Sequence, residues 1–314
     1  MDGLTPAPHV ATDPRLASVL RRLELDVTRR LDGLLHGDHR GLVPGHGSEP
    51  GEARAYLDGD DVRQIDWNVT ARMGATHIRE TIADRELETW LVVDRSASLA
   101  FGTAERSKSD LALASAAAVG ILTARGGNRL GAMISGPNGL DTVPARQGRK
   151  HALGILARIA GTPDDDRPNP LSLGETLRTC AGVVRRRGAV VVLSDFLDDP
   201  ETWRRELGTM SIRHEVLAIE IVDPRELELP AVGIVGLVDT ETGRVREVNT
   251  SNAGLRRRYA EAATEQRRRI HEAITGTGSA HVQLRTDEDW LGTLARHLTT
   301  RRRRRANTSV GVHR

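Results

Sequence analysis

Aromatic residues make up only 3% of this sequence, it has one cysteine, and only two of its 45 basic residues are lysines. Each shortage excludes something. With so few aromatics the core must rest on Leu, Val, Ile and Ala, and the interleaved aromatics of a nucleic-acid-binding surface are missing. Cys180 alone cannot form an internal disulfide, which fits a reducing compartment. Since Lys108 and Lys150 are the only lysines, the pI of 9.1 reflects arginine bias, and a formal charge of +2 makes no case for a nucleic-acid partner. No apolar run is long enough to span a membrane; the longest, Leu111 to Ala124, has the length of a buried helix. The N-terminus lacks the charged-then-apolar layout of a secretory signal. We therefore expect a soluble, cytoplasmic protein with no membrane span and no nucleic-acid partner.

What is present is an alternation of two periodicities. Residues 1–14 form a Pro- and Thr-containing leader expected to be disordered. Residues 15–35 carry Leu16, Val19, Leu20, Leu23, Leu25, Val27, Leu31 and Leu34 at helical spacing. From Glu88 on, short apolar runs at Trp90–Val93, Arg129–Ser135, Ala189–Leu193, His214–Ile221 and His281–Leu284 alternate with helical stretches. A hairpin turning near Gly243 interrupts them. This order predicts an α/β fold with a doubly wound, mostly parallel sheet over residues 87–300. Residues 15–86 form an N-terminal helix and a small β-rich extension packed on it. Residues 301–314, opening with Arg301–Arg305, read as a solvated basic tail.

The chemistry concentrates where the first of these strands ends. Trp90–Val93 is a strand buried on both faces, and it stops at Asp94, followed by hydroxyls at Ser96 and Ser98. A carboxylate at the carboxyl end of a central parallel strand sits where open α/β sheets collect ligands. Three oxygens within five residues suit a hard divalent cation, Mg²⁺ or Mn²⁺. Asp195, after the strand Ala189–Leu193, is the candidate second acid. Two alternatives stand beside this reading. Ser96 and Ser98 could form a turn that caps the next helix, leaving a scaffold with a vestigial metal site. Asp94 could instead be the nucleophile of a phosphatase-type hydrolase with Asp198-Asp199 nearby. That chemistry wants a general acid two residues after the nucleophile, where this sequence has Ser96. No Gly-x-Ser-x-Gly or Gly-x-x-x-x-Gly-Lys motif is present. The expectation is a non-enzymatic protein.

Residues 51–79 are dense in charge. Asp60, Asp61 and Asp66 interleave with Arg54, Arg63 and Arg72, which predicts a partly buried ion-pair network anchored by Trp67. His36, His39 and His46 lie in a glycine-rich stretch and lack a third ligand of the usual kind, so a loop is expected.

Two resemblances follow. Asp94-x-Ser96-x-Ser98 resembles the first motif of the metal-ion-dependent adhesion site of von Willebrand factor A domains. Together with Tyr56-x-x-Gly59-Asp60-Asp61-x-Arg63-x-Ile65-Asp66-Trp67, Ala71-Arg72, Glu86-x-Glu88 and Ser194-Asp195-Phe196, it resembles the bacterial domain-of-unknown-function 58 family, over roughly Leu23 to His214. The resemblance implies a von Willebrand factor A-like fold and a metal site at Asp94, Ser96, Ser98 and Asp195. It also implies a role beside a MoxR-type AAA+ ATPase and an unknown client in protein assembly or remodelling. Many relatives carry N-terminal membrane helices; this chain looks like a soluble member. It departs from the adhesion-site pattern at Leu171, which stands where a threonine ligand is expected, with Ser172 beside it. Arg95, inside the ligand loop, would repel a cation if turned inward.

Overall fold

The computed structural model describes residues 14–34, 53–56, 62, 65–79, 87–104, 106–163, 169–238 and 245–310. Its centre is a six-stranded sheet built from β3 (Glu88–Asp94), β4 (Arg129–Gly136), β5 (Gly139–Arg146), β6 (Gly188–Ser194), β7 (Glu215–Val222) and β10 (Ala280–Arg285). In space the order is β10-β7-β6-β3-β4-β5, parallel throughout except for the antiparallel edge strand β5. Numbered within the sheet this is the 3-2-1-4-5-6 order of doubly wound proteins, whose strand order reverses between the first and fourth strands. Here those strands are β3 and β6, so the switch point falls beside Asp94.

Alternate strand residues point to opposite faces, and both faces are buried. Leu91, Val93, Ile134, Leu193 and Ile219 meet one layer: α3 (Lys108–Arg125), α4 (Arg149–Gly161) and the start of α8 (Trp290–Val310). Val92, Met133, Val190, Val192 and Ala218 meet α5 (Leu173–Val183), α6 (Pro200–Arg213) and α7 (Ala253–Thr275). The amphipathic α1 (Pro14–Leu34) buries Leu20, Val27 and Leu31 in the first core and packs on α3, α4 and α8. The core runs on aliphatics and alanine, as the aromatic shortage requires. Between β3 and β6 the chains approach so closely that a Cβ at Gly188 would sit 2.0 Å from the Glu88 carbonyl oxygen, so only glycine fits there.

Two small sheets stand outside. In the N-terminal extension β1 (Ala53–Ala55) and β2 (His77–Arg79) pair antiparallel around α2 (Trp67–Met73). The expected hairpin is β8 (Ile234–Val238) with β9 (Val245–Asn249); its turn residues lie outside the described ones. α8 runs on past Leu298, through the arginine run, to Val310. Among the described residues no helix is long and apolar enough to cross a membrane.

In the charge-dense segment it is the expected Trp67 anchor that departs from expectation. Asp66 is the N-cap of α2, its Oδ1 accepting from the backbone N–H of Asn68 (3.0 Å) and Val69 (3.2 Å). Trp67 is 71% exposed and anchors no core. As the first residue of a short surface helix, it projects to solvent while Ile78 of β2 provides the buried contact. Arg72 is exposed; Asp60, Asp61 and Arg63 lie outside the described residues, as do His36, His39 and His46.

Candidate functional site

Parallel pairing sets a polar row across the carboxyl ends of the strands. Asp94 is in register with Ser135 of β4, and Ser194 of β6 with Glu220 of β7, which faces Gln283 of β10. Asp94 and Asp195 therefore close adjacent strands at the switch point. Asp94 lies within the end of β3, and Asp195 follows the last residue of β6. The turn that aims Asp195 is unusual: Phe196 has φ 53°, a left-handed conformation that costs a non-glycine residue energy. Its burial edge-on against Trp203, ring centroids 5.3 Å apart, and its N–H bond to Ser194 Oγ (3.1 Å) hold it there.

The four residues singled out from sequence come together. Ser194 Oγ donates to Asp94 Oδ2 (2.7 Å), and the Ser96 N–H donates to Asp94 Oδ1 (2.9 Å). The Ser96 and Ser98 hydroxyls touch at 3.0 Å. Ser98 also hydrogen-bonds Asp195. A chain of oxygens thus links the two carboxylates through the two serines.

The carboxylates have opposite electrostatics. Burial, reinforced by the charge of Asp195, pushes the Asp94 carboxyl up to about 6; its own partners, Ser194 and Ser96, are neutral. Burial also works against Asp195, but the Lys108 ammonium outweighs it and holds Asp195 below the usual aspartate value of 3.8. Lys108 is fully buried at the start of α3, with Nζ 2.8 Å from Asp195 Oδ2 and 2.5 Å from Glu226 Oε1. Burial lowers its pKa, yet the two carboxylates raise it overall, so it stays charged. Glu226 passes the network to Arg267 (3.0 Å), which also donates to Glu220 (2.9 Å) and to the Asp195 carbonyl (3.2 Å). Glu220 in turn meets His281 Nε2 at 2.9 Å.

Arg95 does not enter this cluster. Its guanidinium turns toward Ser109 on α3 and donates to the Thr162 carbonyl (3.2 Å), so it adds no positive charge between the carboxylates. At the expected threonine position, Ser172 is the N-cap of α5, sharing a capping box with Glu175. Thr176 is buried inside that helix. The side chain that reaches the sheet from this loop is Asn169, whose Nδ2 donates to Ser135 Oγ (3.2 Å). Its Oδ1 is buried without a hydrogen-bond partner. Asp198 accepts from the Leu173 N–H (3.4 Å) and Asp199 caps α6, so both acids of the hydrolase reading serve helix starts. Among the described residues no three His, Cys, Asp or Glu side chains converge as a metal cluster. The oxygens gathered at Asp94 are its own carboxylate and the hydroxyls of Ser96, Ser98 and Ser194, a set suited to Mg²⁺ rather than to a softer ion.

Residues 52–269 match the sequence pattern of a family described as a protein of unknown function, DUF58. The chain belongs to that family. An uncharacterized protein of Mycobacterium tuberculosis is 52% identical over 291 residues, covering 93% of this chain and 91% of the relative. Solved structures similar to this member include an aerotolerance-related membrane protein from Bacteroides fragilis, at 12% identity and TM-score 0.46, covering 68% of this chain and 97% of the other. A von Willebrand factor type A protein from Catenulispora acidiphila, at 12% identity and TM-score 0.39, covers 71% of this chain and 42% of its own length.

Sequence reasoning missed Lys108, Glu226, Arg267 and Asn169 in this DUF58 site. One signal was available: Lys108 is one of two lysines in an arginine-rich chain, at a position where a compact ammonium fits and a broad guanidinium does not.

Proposed function

We propose that this chain is a non-catalytic protein-interaction module whose contact point is the Asp94 end of the sheet. The observation that carries the reading is the unmatched charge of Asp94, buried among neutral donors beside an aspartate that already has its cation. A divalent cation, Mg²⁺ or Mn²⁺, answers that imbalance, with Asp94, Ser96 and Ser98 as its holders. Asp195 is committed to Lys108 and serves at most through water. The bound ion supplies a Lewis-acidic point that an Asp or Glu of a partner protein fills. On the family resemblance, that partner is a MoxR-type AAA+ ATPase acting on a client in the cytoplasm. Non-catalytic action is supported by Ser96, which stands two residues after Asp94 where that hydrolase chemistry wants its acid, and by the Lys108 ion pair that holds Asp195 ionised.

A second reading is favoured by Lys108 itself. If its ammonium has replaced the metal altogether, the module is a scaffold whose contacts need no ion. One titration separates the two. Millimolar Mg²⁺ or Mn²⁺ should stabilise the purified protein by about 1 kcal/mol once the metal exceeds its Kd several-fold. Asp94→Ala should abolish that response and Ser96→Ala weaken it. Binding of the ATPase should rise with metal, because the two interactions strengthen each other reciprocally. Partner binding that is equal in chelator and in Asp94→Ala would leave the scaffold reading.

A further inference from the structure

The two edges of the central sheet are finished differently. An open edge is a template for strand pairing unless it is blocked. β5 carries Pro144, which cannot donate to an added strand, and Asp141 and Arg146 beside it. β10, Ala-His-Val-Gln-Leu-Arg, carries no proline and lies last in the sheet with β7 as its one strand partner. Along this edge runs a groove of about 680 Å³. β10 supplies one wall through Ser279, His281 and Val282, and α8 the other through Thr293, Arg296 and His297. None of the ten residues lining it is acidic. α8 then continues through Arg301–Arg305, which places five more basic residues on the helix that forms the wall. His281 is held in place from behind, by Glu220 at Nε2 and by His271 at Nδ1 (2.8 Å), so that wall is built before any ligand arrives.

We infer that this edge accepts an extended, acidic segment of a partner protein, which joins β10 as an added strand. Main-chain pairing supplies affinity in such additions, and side chains at alternate positions supply selectivity. Carboxylates on the face toward α8 meet Arg296. A nucleic acid would satisfy the charge but not the strand edge, so the polypeptide is the occupant the geometry favours. The groove lies at the sheet's edge and Asp94 at its centre, so this site and the Asp94 site stand or fall separately.

The test uses a fluorescein-labelled peptide of alternating Thr and Glu, about ten residues long, titrated with the full chain and followed by anisotropy. Saturable binding is expected, with slowed amide exchange in β10. Arg296→Glu should weaken it about tenfold. Among the described residues Arg296 bonds within α8, to the Gly292 carbonyl and Thr293 Oγ1, so the variant should keep its circular dichroism spectrum. The same peptide N-methylated at alternate residues keeps its charge but cannot pair, and should lose at least as much. Absence of saturable binding up to about 1 mM, equal binding of the methylated peptide, or equal competition by a charge-matched oligothymidine would each overturn the inference.

Discussion

Asp94 and Asp195 end neighbouring strands, both are buried, and a pair of serines joins them, yet their carboxyls are shifted in opposite directions. The difference comes from what the next helix delivers. α3 delivers Lys108 to Asp195 and only the Ser109 contact with Arg95 near Asp94. A buried carboxylate with a hydrogen-bonded ammonium is a structural element; one surrounded by neutral hydroxyls stores an electrostatic cost. On the proposed function that cost is what a bound cation relieves, and it sets the Asp94 side apart from the Asp195 side.

The largest way to break the comparison is to remove Lys108. Lys108→Met strands Asp195 in the interior, takes from Glu226 one of its two cations, and should destabilise by about 3–5 kcal/mol, read by denaturant unfolding. Lys108→Met combined with Asp195→Asn should recover part of that loss. An unchanged midpoint in the single variant would mean that Asp195 carries no buried charge.

Next in size is Asp94→Asn, which should act in the opposite direction. Because the folded-state pKa of Asp94 is raised from 3.8 to about 6, the folded protein keeps a proton there that the unfolded chain has lost. Stability therefore falls as pH rises across that window, and the full cost, on the order of 3 kcal/mol, persists above it. Asp195, lowered by Lys108, runs the other way: its stabilisation is present above 3.8 and is lost as pH falls through its depressed value. Asp94→Asn should raise the melting temperature at neutral pH and flatten the profile between about pH 4 and 6. A variant less stable than the parent at pH 7 would show that Asp94 is already compensated.

The smallest effect calibrates the other two. Asp66 is an aspartate that caps α2. Asp66→Ala should cost about 1 kcal/mol, seen as faster amide exchange in α2, with no change in metal response.

The strand–helix alternation was legible because parallel strands buried on both faces read as unbroken apolar runs, as at Trp90–Val93 and Ala189–Leu193. Ser107 begins α3 in a capping box with Asp110. Trp67 was misread because an apolar residue among paired charges looks like an anchor, and only packing shows that nothing covers it. The loop before α5 was legible only in part: register with Leu173 points to Leu171 and Ser172, whereas the capping box draws Ser172 into α5 and Asn169 is the residue that reaches Ser135.

By itself, then, the sequence determined the fold class and the position of Asp94, Ser96, Ser98 and Asp195 at strand ends. These follow from local periodicity and from spacing within a few residues. Only the tertiary structure decided which aspartate is neutralised. Lys108 lies 87 residues from Asp195 and 118 from Glu226, and its ammonium meets them because α3 packs against the sheet at that end. Charges so distant in sequence acquire their energies from burial and direction of approach, which no local pattern encodes.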